Sequence, residues 1–159
     1  MLSVEIVCVG KLNQSGLREA CEEYEKRLGA FCRLTVTELA ETRLAEDGEA
    51  AQRRVVETES ARILEHIGRK RTLLAAMCVE GREMTSPQLA AFFADAAMTC
   101  PDVTFVVGGS LGLSEELKAR AQLRLSMSRM TFPHQLARLM LLEQIYRACT
   151  IIANVKSHK

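Results

Sequence analysis

Hydrophobic and polar positions change period several times along the chain, and each change marks a predicted element. Val4 to Val9 is a short apolar run that stops at Gly10. Arg33 to Leu39 alternates strictly, with Leu34, Val36 and Glu38 on one face, so both segments are predicted strands. Between them Leu17, Ala20, Cys21, Tyr24 and Leu28 recur at helical spacing, with Gly29 in the stop position. Ala40 to Gly48 is acidic and aperiodic and reads as a loop. Glu49 to Ile67 then reads as a long, highly charged helix ending at Gly68.

The second half follows the same alternation. Thr72 to Val79 (TLLAAMCV) is continuously apolar over a strand's length, the pattern of a central strand covered on both faces. Ser86 and Pro87 open a helix whose apolar stripe is Leu89, Phe92, Phe93, Ala96 and Ala97, and Pro101 bars its continuation. Val103 to Val107 is a further buried strand, ending in Gly108-Gly109-Ser110-Leu111-Gly112. Ser114 caps a short helix with Glu115 and Glu116 in its first turn, and Leu123 to Met127 fits a last strand. From Pro133 to about Ala153 a helix carries one stripe of Ala137, Leu141, Ile145, Ala148, Cys149 and Ile152. Leu136, Leu139, Met140 and Tyr146 give it a second apolar side, expected at a subunit interface.

Strands alternating with helices predict an α/β fold with a mainly parallel sheet flanked by helices, in one domain over residues 1–159. Ligands of such sheets lie outside the carboxyl ends of the strands, here at Gly10, Gly81, Gly108 and Met127. The glycine turn at 108–112 is neither G-x-G-x-x-G nor a Walker A loop, so a nucleotide-phosphate cradle is not supported. A tight turn and a backbone brought close to a ligand both satisfy it. The extended segment Leu125 to Gln135 is suited to gripping a flat heteroaromatic ring through main-chain groups, with Met and Phe packing beside it. An ordinary strand-to-helix connection satisfies it too.

Composition alters this picture little: 48% hydrophobic and 26% charged residues are ordinary for a globular chain. Charge alters it more. The net charge is only +1, but residues 114–159 hold eight Lys or Arg against three Glu, leaving the remainder net acidic. That imbalance suits a polyanion-facing surface or a solvated helix face, with Arg129, Arg138, Arg147, Lys156 and Lys159 as the candidate phosphate contacts and His158 as a group titrating near neutrality. Six dispersed cysteines without a C-x-x-C pair make structural zinc and a disulfide framework unexpected. The first residues resemble neither a signal peptide nor a membrane span, so a cytoplasmic location is expected.

Four segments together, VTFVVGGSLGL (103–113), LSMSRMTFPHQLAR (125–138), EQIYRA (143–148) and the final Ser157-His158-Lys159, closely resemble the RlmH-type 23S rRNA pseudouridine N3-methyltransferases of the SPOUT superfamily. The N-terminal VCVGKL and EYEKRLG are similar as well, so the resemblance spans nearly the whole chain. It implies a SPOUT-type fold with a C-terminal trefoil knot, an exception to unknotted topology. It also implies S-adenosylmethionine as methyl donor, with no metal, and a pseudouridine in helix 69 of 23S rRNA as acceptor on the assembled ribosome. The working form implied is a homodimer with a composite site, and neither membrane nor DNA is an expected partner.

By the same resemblance the cofactor residues are Met77 (Leu in relatives), Gly108, Gly109, Met127, Ser128, Arg129, Met130, Thr131 and Phe132. Arg147 and His158 are the implied catalytic residues, with Arg129, Arg138 and Lys159 on the substrate side. Relatives usually carry Tyr where this chain has Ser157. Two other readings fit the same residues: a SPOUT methyltransferase with another rRNA or tRNA acceptor, and a dimeric ribosome-binding protein without catalysis.

Overall fold

A computed structural model describes residues 1–154. In chain order the elements are β1 (Ser3–Val9), α1 (Ser15–Leu28), β2 (Arg33–Leu39), α2 (Glu49–Ile67), β3 (Leu73–Glu83), α3 (Ser86–Thr99), β4 (Asp102–Val107), α4 (Glu115–Arg120), β5 (Leu123–Ser126) and α5 (His134–Ile152). The five strands form one parallel sheet in the order β2-β1-β4-β3-β5. The α/β fold with helices on a parallel sheet is therefore as the periodicity predicts. The middle position belongs to β4, with β3 beside it.

Side chains alternate between two cores because successive residues of a strand face opposite ways. Ile6, Cys8, Phe105, Ala75 and Leu125 point to one face, where they meet α1, α3 and α5. Val7, Val9, Val106, Leu74 and Ala76 point to the other, against Ile63 and Ile67 of α2 and Leu117 of α4. Cys8 behaves as one of these apolar residues, and burial pushes its thiol up to about 12.

Two elements differ from their predicted form. β3 runs past the apolar TLLAAMCV stretch to Glu83, since Met77 and Arg82 both stand opposite Leu125 and residues 78–81 bulge between them. A Cβ on Gly81 would lie 2.8 Å from the backbone of Arg124, so the bulge depends on glycine there. α5 lies in the same layer as α1 and α3 and packs against both. That middle place accounts for part of its second apolar side: Leu139 and Tyr146 are half-buried against the core, and Tyr146 meets Tyr24 and Phe31 edge-on at 5.9 Å. Ile152, expected in the buried stripe, is 49% exposed at the helix end.

A polar cluster fastens the edge strand. Glu5 Oε2 accepts the Thr37 hydroxyl at 2.9 Å and lies 2.9 Å from His66 Nε2, with Lys70 at 3.9 Å. Burial works to raise the Glu5 carboxyl, but these hydrogen bonds and charges outweigh it and hold the group below its ordinary value. A depressed carboxylate adds stability above its unfolded value and loses it as pH falls through the folded one. Glu5→Gln should therefore cost about 1 kcal/mol at pH 6, and urea titrations should show that deficit closing towards pH 3.

Candidate functional site at the carboxyl ends of the strands

The turns following β3, β4 and β5 enclose a cavity of about 670 Å3, within the range of small-molecule sites. Its walls are Met77 to Glu80 from the β3 bulge, Val107 to Leu113 from the glycine turn, and Leu125 with Met127 to Ala137 from the last loop and the start of α5, Arg129, Gln135 and Leu136 excepted. Most of these groups are apolar or backbone. Lys118 also lines it, with its ammonium 2.5 Å from Glu80 and 3.4 Å from Glu115. Burial works to lower the Lys118 value, yet the contacts with both carboxylates raise it, so this cation enters the wall already neutralised.

Close backbone packing shapes the glycine turn. Gly109 and Gly112 form an isolated bridge, the Gly112 N–H donating to the Gly109 carbonyl at 3.0 Å. Gly112 has φ +85°, a conformation that favours glycine. A Cβ on Gly108 would stand 2.8 Å from the Gly112 carbonyl carbon, so the two limbs of the turn can lie together only without it. In the facing loop, the Ser126 hydroxyl donates to the Ser128 carbonyl at 2.9 Å, and Ser128 Oγ accepts the Met130 N–H at 3.0 Å. These local bonds fix a segment that has no sheet partner. Pro133, with φ −54°, then starts α5.

Met77, Gly108, Gly109, Met127, Ser128, Met130, Thr131 and Phe132 therefore come together from three separate segments around one space. Arg129 does not join them. Its side chain is 93% exposed and turns outward to Glu83 at 3.4 Å, away from the residues expected to share a cofactor role with it.

Arg138, expected on the substrate side, is buried. Its side chain is only 8% exposed and its Nη1 donates to Glu38 Oε2 at 2.7 Å, so it joins α5 to β2 and presents no cation to a phosphate. Arg147 lies on α5 about 20 Å along the axis from His134. Its guanidinium is half-exposed, donates to Glu143, and does not line the cavity of its own chain. Lys156, Ser157, His158 and Lys159 lie outside the described residues.

His134 also lines the cavity, while the capping position belongs to Pro133. Cys78, Val79 and Glu80 were also absent from the sequence-based site, because only the bulge in β3 turns them towards it. Among the described residues no group of three or more His, Cys, Asp or Glu gathers as metal ligands, and no helix is long and apolar enough to cross a membrane.

Comparison with known proteins identifies the family. The family model described as "Predicted SPOUT methyltransferase" matches residues 2–158. Ribosomal RNA large subunit methyltransferase H of Desulfitobacterium hafniense (strain Y51) is 45% identical, with all of both chains covered. The protein of the same name from Bifidobacterium animalis subsp. lactis (strain AD011) is 43% identical over 99% of this chain and 100% of its own length. A solved structure, described as a probable methylase family protein from Haemophilus influenzae Rd KW20, covers the whole chain and 72% of its own, with TM-score 0.58 and 16% identity, a likeness of fold. The chain belongs to the SPOUT methyltransferases, in the family of ribosomal RNA large subunit methyltransferase H.

Proposed function

We propose that this protein transfers a methyl group from S-adenosylmethionine to N3 of a pseudouridine in helix 69 of 23S rRNA, on the assembled ribosome in the cytoplasm. The observation carrying this reading is the convergence of the three strand-end segments on one largely apolar cavity. Its size suits a nucleoside with an amino-acid tail, and the glycine turn offers backbone that a Cβ would obstruct. The knot implied by the resemblance, and a homodimer that completes the site, belong to the same proposal.

When bound, S-adenosylmethionine supplies a methyl group on a sulfonium, which leaves as a neutral thioether. The chain's part is to align, to exclude water and to take up the N3 proton. Met127 and Phe132 supply apolar wall, and main-chain groups of the 108–112 turn and the 127–132 loop are placed to hold a ring edge. His158 is the proposed proton acceptor, and Lys159 is a proposed contact to the rRNA. Arg147, distant from the cavity of its own chain, would act on the acceptor bound at the partner subunit. Arg129, exposed at the mouth of the last loop, is free to swing from Glu83 to a phosphate.

Incubating the chain with labelled S-adenosylmethionine and ribosomes that lack the modification should give label at the helix 69 pseudouridine, mapped by mass spectrometry. Label at another nucleotide would replace the acceptor. Saturable cofactor binding without label on any RNA would favour a ribosome-binding role.

A further inference from the structure

The tip of the glycine turn borders two cavities. Ser110 and Leu111 line the large cavity and also a second one, of about 370 Å3. Packing of buried Gly109 beside Val9 holds one limb of the turn, while Ser110 and Leu111 at the tip are exposed, so polar tethers can add to their placement.

Those tethers come from one turn of α2. Glu59 and Ser60 are adjacent, 3% and 1% exposed, on a helix face otherwise buried through apolar residues. Ser60 Oγ accepts the N–H of Ser114, just beyond the turn, at 2.9 Å. Glu59 Oε2 accepts the N–H of Thr42 at 2.8 Å, while Oε1 lies 3.0 Å from where a Cβ on residue 109 would stand. Arg62 is directed elsewhere: its Nη1 donates to the Ala40 carbonyl and the Thr42 hydroxyl. Glu59 makes no ion pair among the described residues. Burial raises its carboxyl against the hydrogen bond from Thr42. A buried carboxyl without an ion-pair partner is costly even with Arg62 nearby, and apolar packing would serve stability better at that position. What an apolar residue could not do is bond to Thr42 and bear on Gly109 at once.

We propose that Glu59 is a positioning residue for the methyl-donor cavity, setting where Gly109 and the turn tip stand by bracing them against residues 40–44. This rests on the donor reading of the cavity given above. Glu59 touches neither donor nor acceptor in this scheme. It acts through the backbone wall, so its loss weakens donor binding more than it slows transfer once the donor is bound.

The test is calorimetry of the full chain with S-adenosylmethionine, paired with methyl transfer to ribosomes at saturating donor. Glu59→Ala should raise Kd and KM for the donor about 5- to 10-fold, with kcat held within about twofold. Glu59→Gln keeps an acceptor for Thr42 and the same shape, and should stay within about threefold of wild type. Val55→Ala removes a buried side chain one turn earlier on α2, lining the same second cavity, and should move the melting temperature with less than about a twofold change in Kd. Gly109→Ala approaches the contact from the other side and should also weaken binding. Combined with Glu59→Ala it should lose less than the product of the two effects, because the group it would strike is gone.

Glu59→Ala binding the donor as wild type does, strictly additive effects at 59 and 109, or an equal loss in Val55→Ala would each overturn the assignment. A wild-type chain giving no saturable heat would overturn the donor reading itself, and this inference with it.

Discussion

Arg138→Ala is expected to lower the free energy of unfolding by about 2–3 kcal/mol, below the range for breaking a fully buried ion pair because Glu38 keeps some solvent contact. The Arg138 side chain is 8% exposed and that of Glu38 29%. Glu38 Oε2 takes both the Arg138 Nη1 at 2.7 Å and the Leu12 N–H at 3.3 Å, so one carboxylate ties the second turn of α5 to β2 and to the connection after β1. Burial works to raise Glu38, but Arg138 beside it holds the group below its ordinary value, and removing the cation leaves a carboxylate that must seek water or a proton. Arg138→Met in a Glu38→Gln background should recover most of the loss, since both charges then go together.

Urea unfolding at pH 7 reads these differences directly. Arg147→Ala, by contrast, removes a surface pair spaced i,i+4 and should change stability by less than about 0.5 kcal/mol. If Arg138 instead served the RNA, its replacement would flatten the salt dependence of ribosome binding while stability stayed put.

The contrast between these two arginines shows what the sequence makes legible. Both lie in a basic C-terminal third, and composition weights them equally. What separates them is the arrival of Glu38, a hundred residues away, at one and not the other. Helix spacing placed Arg138 between apolar turns, but it could not say that β2 ends beside it. The strands were legible because β-branched runs such as Val4 to Val9 and Val103 to Val107 carry their own period. Their order was not, because parallel neighbours such as β1 and β4 are far apart in sequence and joined by no local signal.

At the site, the resemblance gathered Met127 to Phe132 as one block. Arg129 falls out of it because a side chain's direction in a loop is set by local bonds, here those of Ser126, Ser128 and Met130. Glu59 left no mark in the sequence, as one acid among many on a charged helix. Its burial against Gly109 exists only once α2 has docked on the sheet.

Gly108→Ala should have the largest effect on the cofactor side, weakening S-adenosylmethionine binding about 10- to 100-fold. The added Cβ would meet the Gly112 carbonyl carbon at 2.8 Å and its oxygen at 2.9 Å, with Leu113 Cδ2 at 3.0 Å. Two of these are main-chain atoms that no rotamer change can move aside. The turn must open, and opening it displaces the wall that three segments share. Strain of about 1–3 kcal/mol is typical of such overpacking, and the bound state would bear it if the donor requires the closed turn.

Two other glycines calibrate the result. Gly112→Ala meets nothing within 4 Å but must hold φ +85°, so it carries backbone strain of about 1–2 kcal/mol without a clash. Gly16→Ala lies in α1 in open space at a helical position and should leave binding unchanged while gaining slightly in stability. Calorimetry on the three variants, each with its melting temperature, separates a displaced wall from a loosened fold. Donor affinity lost at residue 108 with the melting temperature largely kept places the glycine turn in the binding surface. Equal affinity for wild type and Gly108→Ala would mean that the donor rests on the 127–132 loop alone.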